Sequence, residues 1–250
     1  MKRIYNLAHD APDSRDFLHV TALSTAPLPS KADLRPTMPP IYDQGQLGSC
    51  TGNCYAAILD FVHKLDGGQF INPSRLFIYW FERFLEGTTK QDVGASMRDG
   101  AKVLNVYGAC KETTVPYDIA KFTVKPSKSA IVEALNYQAT IYERVAQSLT
   151  SLKTVLANGL PVAIGISVYA SFESASVART GIVPLPNTRK ESLLGGHAVA
   201  IVGYDDAAQV FIVRNSWGTG WGMAGYFTMP YAYVINPKLA SDFWCVSKAE

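Results

Sequence analysis

Apolar residues recur at three- and four-residue steps from Cys50 onward: Cys54, Ala57, Ile58, Phe61, Val62 and Leu65. That spacing predicts a helix with one apolar face, ended by Gly67-Gly68. A second helix is predicted from Asn72-Pro73, with Asn as N-cap and Pro in the first turn, as far as Gly87. A third has Ser96 and Asp99 as a capping box and Gly108 after its last turn. Further helical stretches lie near 129–137 and 148–158. The pattern then changes to short segments rich in Val, Ile and aromatics: 161–168, 197–204, 210–214, 225–229 and 243–246. These are predicted strands. Helices first and strands afterwards indicate an α+β fold, arranged as two lobes with a cleft between them where a site would sit.

Residues 1–30 are unlike the rest. Segments 11–16 and 25–30 are rich in Pro and small residues and have little periodicity, so this part reads as an extended arm. It is either a loose leader or a short pro-segment.

Composition narrows the function only a little. Of 250 residues, 48% are hydrophobic and 18% charged, ordinary for a soluble globular protein. Lys plus Arg exceed Asp plus Glu by 23 to 21, so neither nucleic acid nor a membrane surface is expected as a partner. The longest apolar runs, 160–168 and 198–204, are too short to span a bilayer and read as buried strands. Behind Lys2-Arg3 there is no apolar stretch of the kind a secretory signal needs. The expected location is the cytosol, or outside the cell if a signal has been removed. Four cysteines are too few for a disulfide scaffold, and four scattered histidines make no zinc spacing. No metal and no cofactor are expected, and the protein is expected to be a monomer.

The segment 42–54 carries the chemistry. A glycine-bearing loop leads into the first helix, Cys50 sits at the helix start, and Gln44 lies six residues earlier. A thiol at a helix N-terminus faces unpaired N–H groups and the positive end of the macrodipole, which favour the nucleophilic thiolate. The Gln44 amide and the Cys50 backbone N–H are expected to form a two-donor oxyanion hole. A lone cysteine is most often a small buried hydrophobe, but this loop argues otherwise. His197, in Gly195-Gly-His-Ala-Val at the edge of a buried strand, is the candidate base, against the alternative of a satisfied core histidine. Asn215, in Asn-Ser-Trp-Gly, would accept from one imidazole N–H and turn the other nitrogen toward sulfur. Trp217 would roof that bond and exclude water. Alone, the Trp- and Gly-rich stretch reads as a turn.

Taken together, Gln-Gly-x-x-Gly-Ser-Cys at 44–50, Gly-His-Ala-Val at 196–199 and Asn-Ser-Trp-Gly at 215–218 resemble the three signatures of the papain-like (cathepsin-type) cysteine proteases. The resemblance covers roughly 31–230. It implies a helical left lobe (about 40–128), an antiparallel, barrel-like right lobe (about 129–246) and a cleft between them. The peptidase domain would be 31–250. It also implies a thiolate–imidazolium pair, an acyl-enzyme and hydrolysis of peptide bonds in peptide or protein substrates. By the same resemblance Gly94 and Ala95 form a ledge for the substrate main chain. Gly165, Gly195, Gly196 and Trp217 line the cleft, with glycine at 165 and 195 widening the pocket for bulky apolar or aromatic residues. Two departures point to the bacterial or archaeal-type branch. Leu47 replaces a disulfide cysteine, and Thr51 replaces an aromatic after the nucleophile. At most one pair among Cys54, Cys110 and Cys245 can bond, and all are expected to be reduced, with Cys54 filling the core. The arm is shorter than a typical pro-domain, yet about 30 extended residues reach roughly 100 Å, ample to cross the cleft and hold the enzyme latent. Two alternatives remain open: a silent binding or inhibitory module on this fold, and a thiol acyltransferase or amidase.

Overall fold

The computed structural model describes residues 3–19 and 27–249. Residues 20–26 and the first two of the expected arm, with Glu250 of the C-terminal tail, lie outside the described residues. In chain order the elements are β1 (Lys31–Asp33), α1 (Cys50–Leu65), α2 (Arg75–Leu85), α3 (Met97–Val106), α4 (Lys128–Ala134), β2 (Ala139–Arg144) and α5 (Leu149–Ala157). There follow β3 (Val162–Tyr169), α6 (Ala175–Thr180), β4 (Leu193–Asp205), β5 (Val210–Arg214), β6 (Tyr226–Pro230), α7 (Tyr231–Val234) and β7 (Ala240–Ala249). The strands form one open antiparallel sheet in the order β2-β7-β3-β4-β5-β6, with β1 added beside β4.

The pleat of this sheet separates two cores. On one face small residues, Ala163, Ala198 and Ala200, let α1 lie close against the strands, and α2 and α3 cover its far side. On the other face larger residues, Val162, Ile164, Ile166, Val199 and Ile201, pack with α5 and with Trp217, Trp221 and Phe227. Alternation of small and large side chains along β3 and β4 thus places the central helix.

Several expectations are corrected in detail. Helix α1 is buried all round from Cys50 to Val62, because it is sandwiched between sheet and helices, while Leu65, assigned to its apolar face, is 56% exposed. The cap of α2 is Ser74, whose hydroxyl accepts from the Phe77 N–H; Asn72 precedes it at φ +50° and Pro73 lies outside the helix. At α3 Ser96 caps the Asp99 N–H, but its own N–H donates to Glu86, so the capping box is only half made. Strand β4 begins four residues before His197, so the histidine is interior to a strand. Strands β1 and β2 and the short helices α6 and α7 have no counterpart in the sequence pattern.

Candidate active site

The loop before α1 and the loop after β5 are stitched together by backbone. Gln44 N–H donates to Ser216 C=O (2.9 Å), Gly218 N–H donates to Tyr42 C=O (2.9 Å), and Asp43 bridges Trp217. This brings the Gln44–Cys50 stretch, on the helix side, to Asn215–Trp217, on the sheet side. Below the loop, Ser49 meets the Tyr117 hydroxyl at 2.5 Å, and Tyr117 donates to Gln44 C=O (3.0 Å).

Cys50 opens α1, and its sulfur receives the backbone N–H groups of Ala198, Thr51 and Cys50 itself. Ala198, the residue after His197 on β4, reaches Cys50, so the strand that carries the imidazole borders the cysteine. His197 Nε2 lies 2.9 Å from Asn215 Oδ1, which also accepts the Ser216 N–H at 2.9 Å. A backbone N–H can only donate, so this amide atom is an acceptor and Nε2 carries the proton. The unbonded Nδ1 is therefore the basic nitrogen. Trp217 stacks on the imidazole, with centroids 5.0 Å apart and planes at 24°.

Gln44 is buried and held at both ends. Its Oε1 accepts the Ser216 hydroxyl (2.6 Å) and its Nε2 donates to Leu47 C=O (3.0 Å). One amide hydrogen is used, and one remains for a ligand. Neither Ser216 nor Asp92 stood out in the sequence as an individual position. Asp92 accepts from Gly48 N–H (3.0 Å) and from the Tyr79 hydroxyl (2.5 Å), tying the cysteine loop to α2 and to the Gly94 turn. Arg83, fully buried, fixes the same turn through the carbonyls of Thr89 and Gln91.

The glycines expected to line the cleft all face the N-terminal arm. A Cβ on Gly94 would lie 2.1 Å from Asn6 O, and one on Gly195 would lie 2.1 Å from Tyr5 O. One on Gly165 would meet Leu7 Cδ2 at 2.7 Å. Leu7 N–H donates to Gly196 C=O and Ala8 N–H to Ala95 C=O, both at 3.2 Å. The room that glycine leaves at 165 is thus filled by Leu7, and at 195 by arm backbone. Tyr5 stands edge-on to His197 and Trp217. Asp10 anchors the next turn of the arm. It accepts from Arg98 N–H (2.9 Å), Arg144 Nη2 (2.8 Å) and Trp244 Nε1 (2.8 Å).

Covered in this way, the pair is dry. Burial pushes the Cys50 thiol up to about 12, against the three amides that lower it. Burial also pulls His197 down to about 4, opposed by the Asn215 hydrogen bond and assisted by the Arg3 charge. Under the arm, burial disfavours the charged form of each group. All four cysteines are free thiols, as expected, and Cys54 is core.

The family model described as papain family cysteine protease matches residues 28–242. The chain belongs to the papain family of cysteine proteases. Members of this family are hydrolases that cleave peptide bonds. Xylellain, a cysteine protease from Xylella fastidiosa, superposes with a TM-score of 0.92 at 41% identity, over 100% of this chain and 99% of that one. An uncharacterised peptidase C1-like protein of Acanthamoeba polyphaga mimivirus is 42% identical over 82% of this chain and 69% of its own length. Cysteine proteinase 3 of Entamoeba histolytica is 32% identical over 80% of this chain, which spans only 62% of that proteinase. The two-lobed papain-like fold, helices on one side and an open, barrel-like sheet on the other, is common to this chain and xylellain.

Proposed function

We propose that this papain-family chain is an endopeptidase in which Cys50 is the nucleophile, His197 the base and Asn215 its orienter, and that residues 3–10 of the arm hold it latent. The observation that carries the reading is the fixed imidazole: Nε2–H committed to Asn215, Nδ1 without a protein partner, and a place on β4 next to Ala198, which borders Cys50. With substrate in place of the arm, Nδ1 takes the thiol proton as sulfur attacks the carbonyl carbon. The oxyanion accepts from Cys50 N–H and the spare Gln44 N–H. The imidazolium then protonates the departing amine. Water, deprotonated by Nδ1, attacks the thioester, and collapse returns the thiol and the acid product.

Retention of all four polar groups favours turnover over a silent binding module. The test is covalent labelling by an epoxide probe with intact-mass detection, alongside peptide hydrolysis. It is run on the full chain, on Cys50→Ala, on His197→Ala and on a chain starting near Lys31. One adduct lost in both point variants, with faster labelling and turnover in the shortened chain, is expected. No adduct in either length would overturn the peptidase reading, and equal rates in both lengths would overturn the latency.

A further inference from the structure

One contact of the arm lies beyond the reacting pair. Arg3 crosses Trp217 with its guanidinium carbon 3.9 Å from the ring centroid, and its Nη1 donates to Glu173 Oε2 at 2.9 Å. Glu173 ends a turn of 3-10 helix, Ala170–Glu173, whose Phe172 packs edge-on against Trp217 and is itself buried. The indole and the turn that carries the carboxylate are thus packed together. Among the described residues Arg3 is the partner that Glu173 has for its charge. When the arm leaves, a carboxylate stands open beside an aromatic face, the combination that receives guanidinium or ammonium groups.

Its position relative to the chemistry gives it a role. Sulfur keeps the acyl part of a substrate over Cys50 and the Gly94 ledge. The amine departs past the imidazole that protonates it, and Trp217 is stacked on that imidazole. We infer that Glu173 with Trp217 forms a specificity site that selects an arginine or lysine within two residues of the scissile bond on the leaving-amine side. The arm's Arg3 occupies this site in the latent chain. The inference rests on the peptidase reading above.

The test uses the full-length chain and three quenched fluorescent peptides that differ only at the two leaving-side positions: Arg, Gln or Glu. Cleavage sites are mapped by mass. The arm competes equally with every peptide, so the ratio of kcat/KM between two peptides does not depend on the fraction of open enzyme. A half-exposed ion pair together with a cation–π contact predicts about a tenfold preference for Arg over Gln. In Glu173→Gln the ratio should fall to about threefold, the cation–π part alone, and Glu173→Lys should prefer the Glu peptide over the Arg peptide. Equal rates for the three peptides, a preference untouched by Glu173→Gln, or a Glu173-dependent preference on the acyl side would each overturn the inference. Should no peptide be cut by the full-length chain or by the chain starting near Lys31, the peptidase reading fails by itself. The cation site is then read from how strongly the same peptides protect Cys50 from iodoacetamide, in wild type and in Glu173→Gln, with the same ranking expected and the same results overturning it.

Discussion

The side chain of Leu7 provides the sharpest test of latency. It is 8% exposed, lies against Gly165 and Gly196, and is the most deeply buried apolar group among the arm's described residues. Leu7→Ala keeps Cβ but removes three carbons from the pocket, a loss of about 2 kcal/mol in docking. Since about 1.4 kcal/mol is tenfold, the ratio of open to docked arm should rise roughly 30-fold. Docked enzyme has its Cys50 buried, so labelling runs through the open form and its rate follows that ratio. The assay is the second-order rate of epoxide labelling, with Ile4→Ala as control because Ile4 is 38% exposed and loses little. The expected order is Leu7→Ala faster than wild type by at least about tenfold, and Ile4→Ala within about twofold of wild type. If Leu7→Ala labels no faster than Ile4→Ala, the arm does not gate the cleft through this pocket.

Gln44→Ala should lower peptide turnover about 100- to 1000-fold, the usual cost of one oxyanion donor. It should slow epoxide labelling far less, since opening an epoxide builds no carbonyl oxyanion; parallel losses would assign Gln44 a merely structural place. Glu82 is fully buried, with its carboxyl pushed well up by desolvation and one oxygen bonded to the Thr51 hydroxyl (2.6 Å). Burial favours its protonated form, so Glu82→Gln should keep stability within about 1 kcal/mol while Glu82→Ala loses about 2 or more, measured by urea unfolding. In Cys50→Ala the imidazole titrates alone, and NMR should find His197 near 4 with the arm docked, returning toward 6.5 when Leu7→Asp is added. The sign follows from that depression. Docking supported by neutral His197 is complete above 6.5 and is lost as pH falls through about 4.

The sequence was most informative where chemistry constrains it. Cys50, His197, Asn215 and Gln44 could be named because each sits in a glycine- or aromatic-flanked stretch that ordinary core packing does not require. Helices α1, α3 and α5 were legible from spacing and caps. The all-round burial of α1 was not, because periodicity reports one face and cannot see that a sheet of alanines will approach the other. Asn72 was mistaken for a cap because Asn-Pro mimics one locally, whereas the competing Ser74 hydroxyl wins by reaching the Phe77 N–H. Ser216 and Asp92 escaped notice since their roles exist only across long sequence separations, to Gln44 and to Gly48. The arm's capacity to cross a cleft could be computed from length. That Leu7, Asn6 and Tyr5 match the glycines could not, since glycine at 94, 165 and 195 reads equally well as room for substrate.

Protonation joins the arm to the reacting pair. Docked, the pair holds one proton from about 4 to about 12. If the open pair is thiolate–imidazolium it also holds one proton near neutrality, and docking exchanges none with solvent. If it is instead thiol and imidazole with the ordinary 6.5, acidification to pH 5 favours the open arm about 30-fold. The anchoring carboxylates act with opposite signs. Asp10 is raised, chiefly by burial, so its support is complete below 3.8 and fades as pH rises through its docked value. Asp16 is lowered by its hydrogen bonds to Arg98 and Arg144, which outweigh its desolvation, so its support is present above 3.8 and fades as pH falls. Arm opening should therefore be followed from pH 7 to 5 by cleavage of the arm with an added protease, in the parent chain and in Cys50→Ala. Opening that rises steeply in Cys50→Ala and stays flat in the parent identifies the ion pair as the state the enzyme enters once its arm departs. A rise of about 30-fold in both would show that uncovering alone does not transfer the proton, and that substrate must.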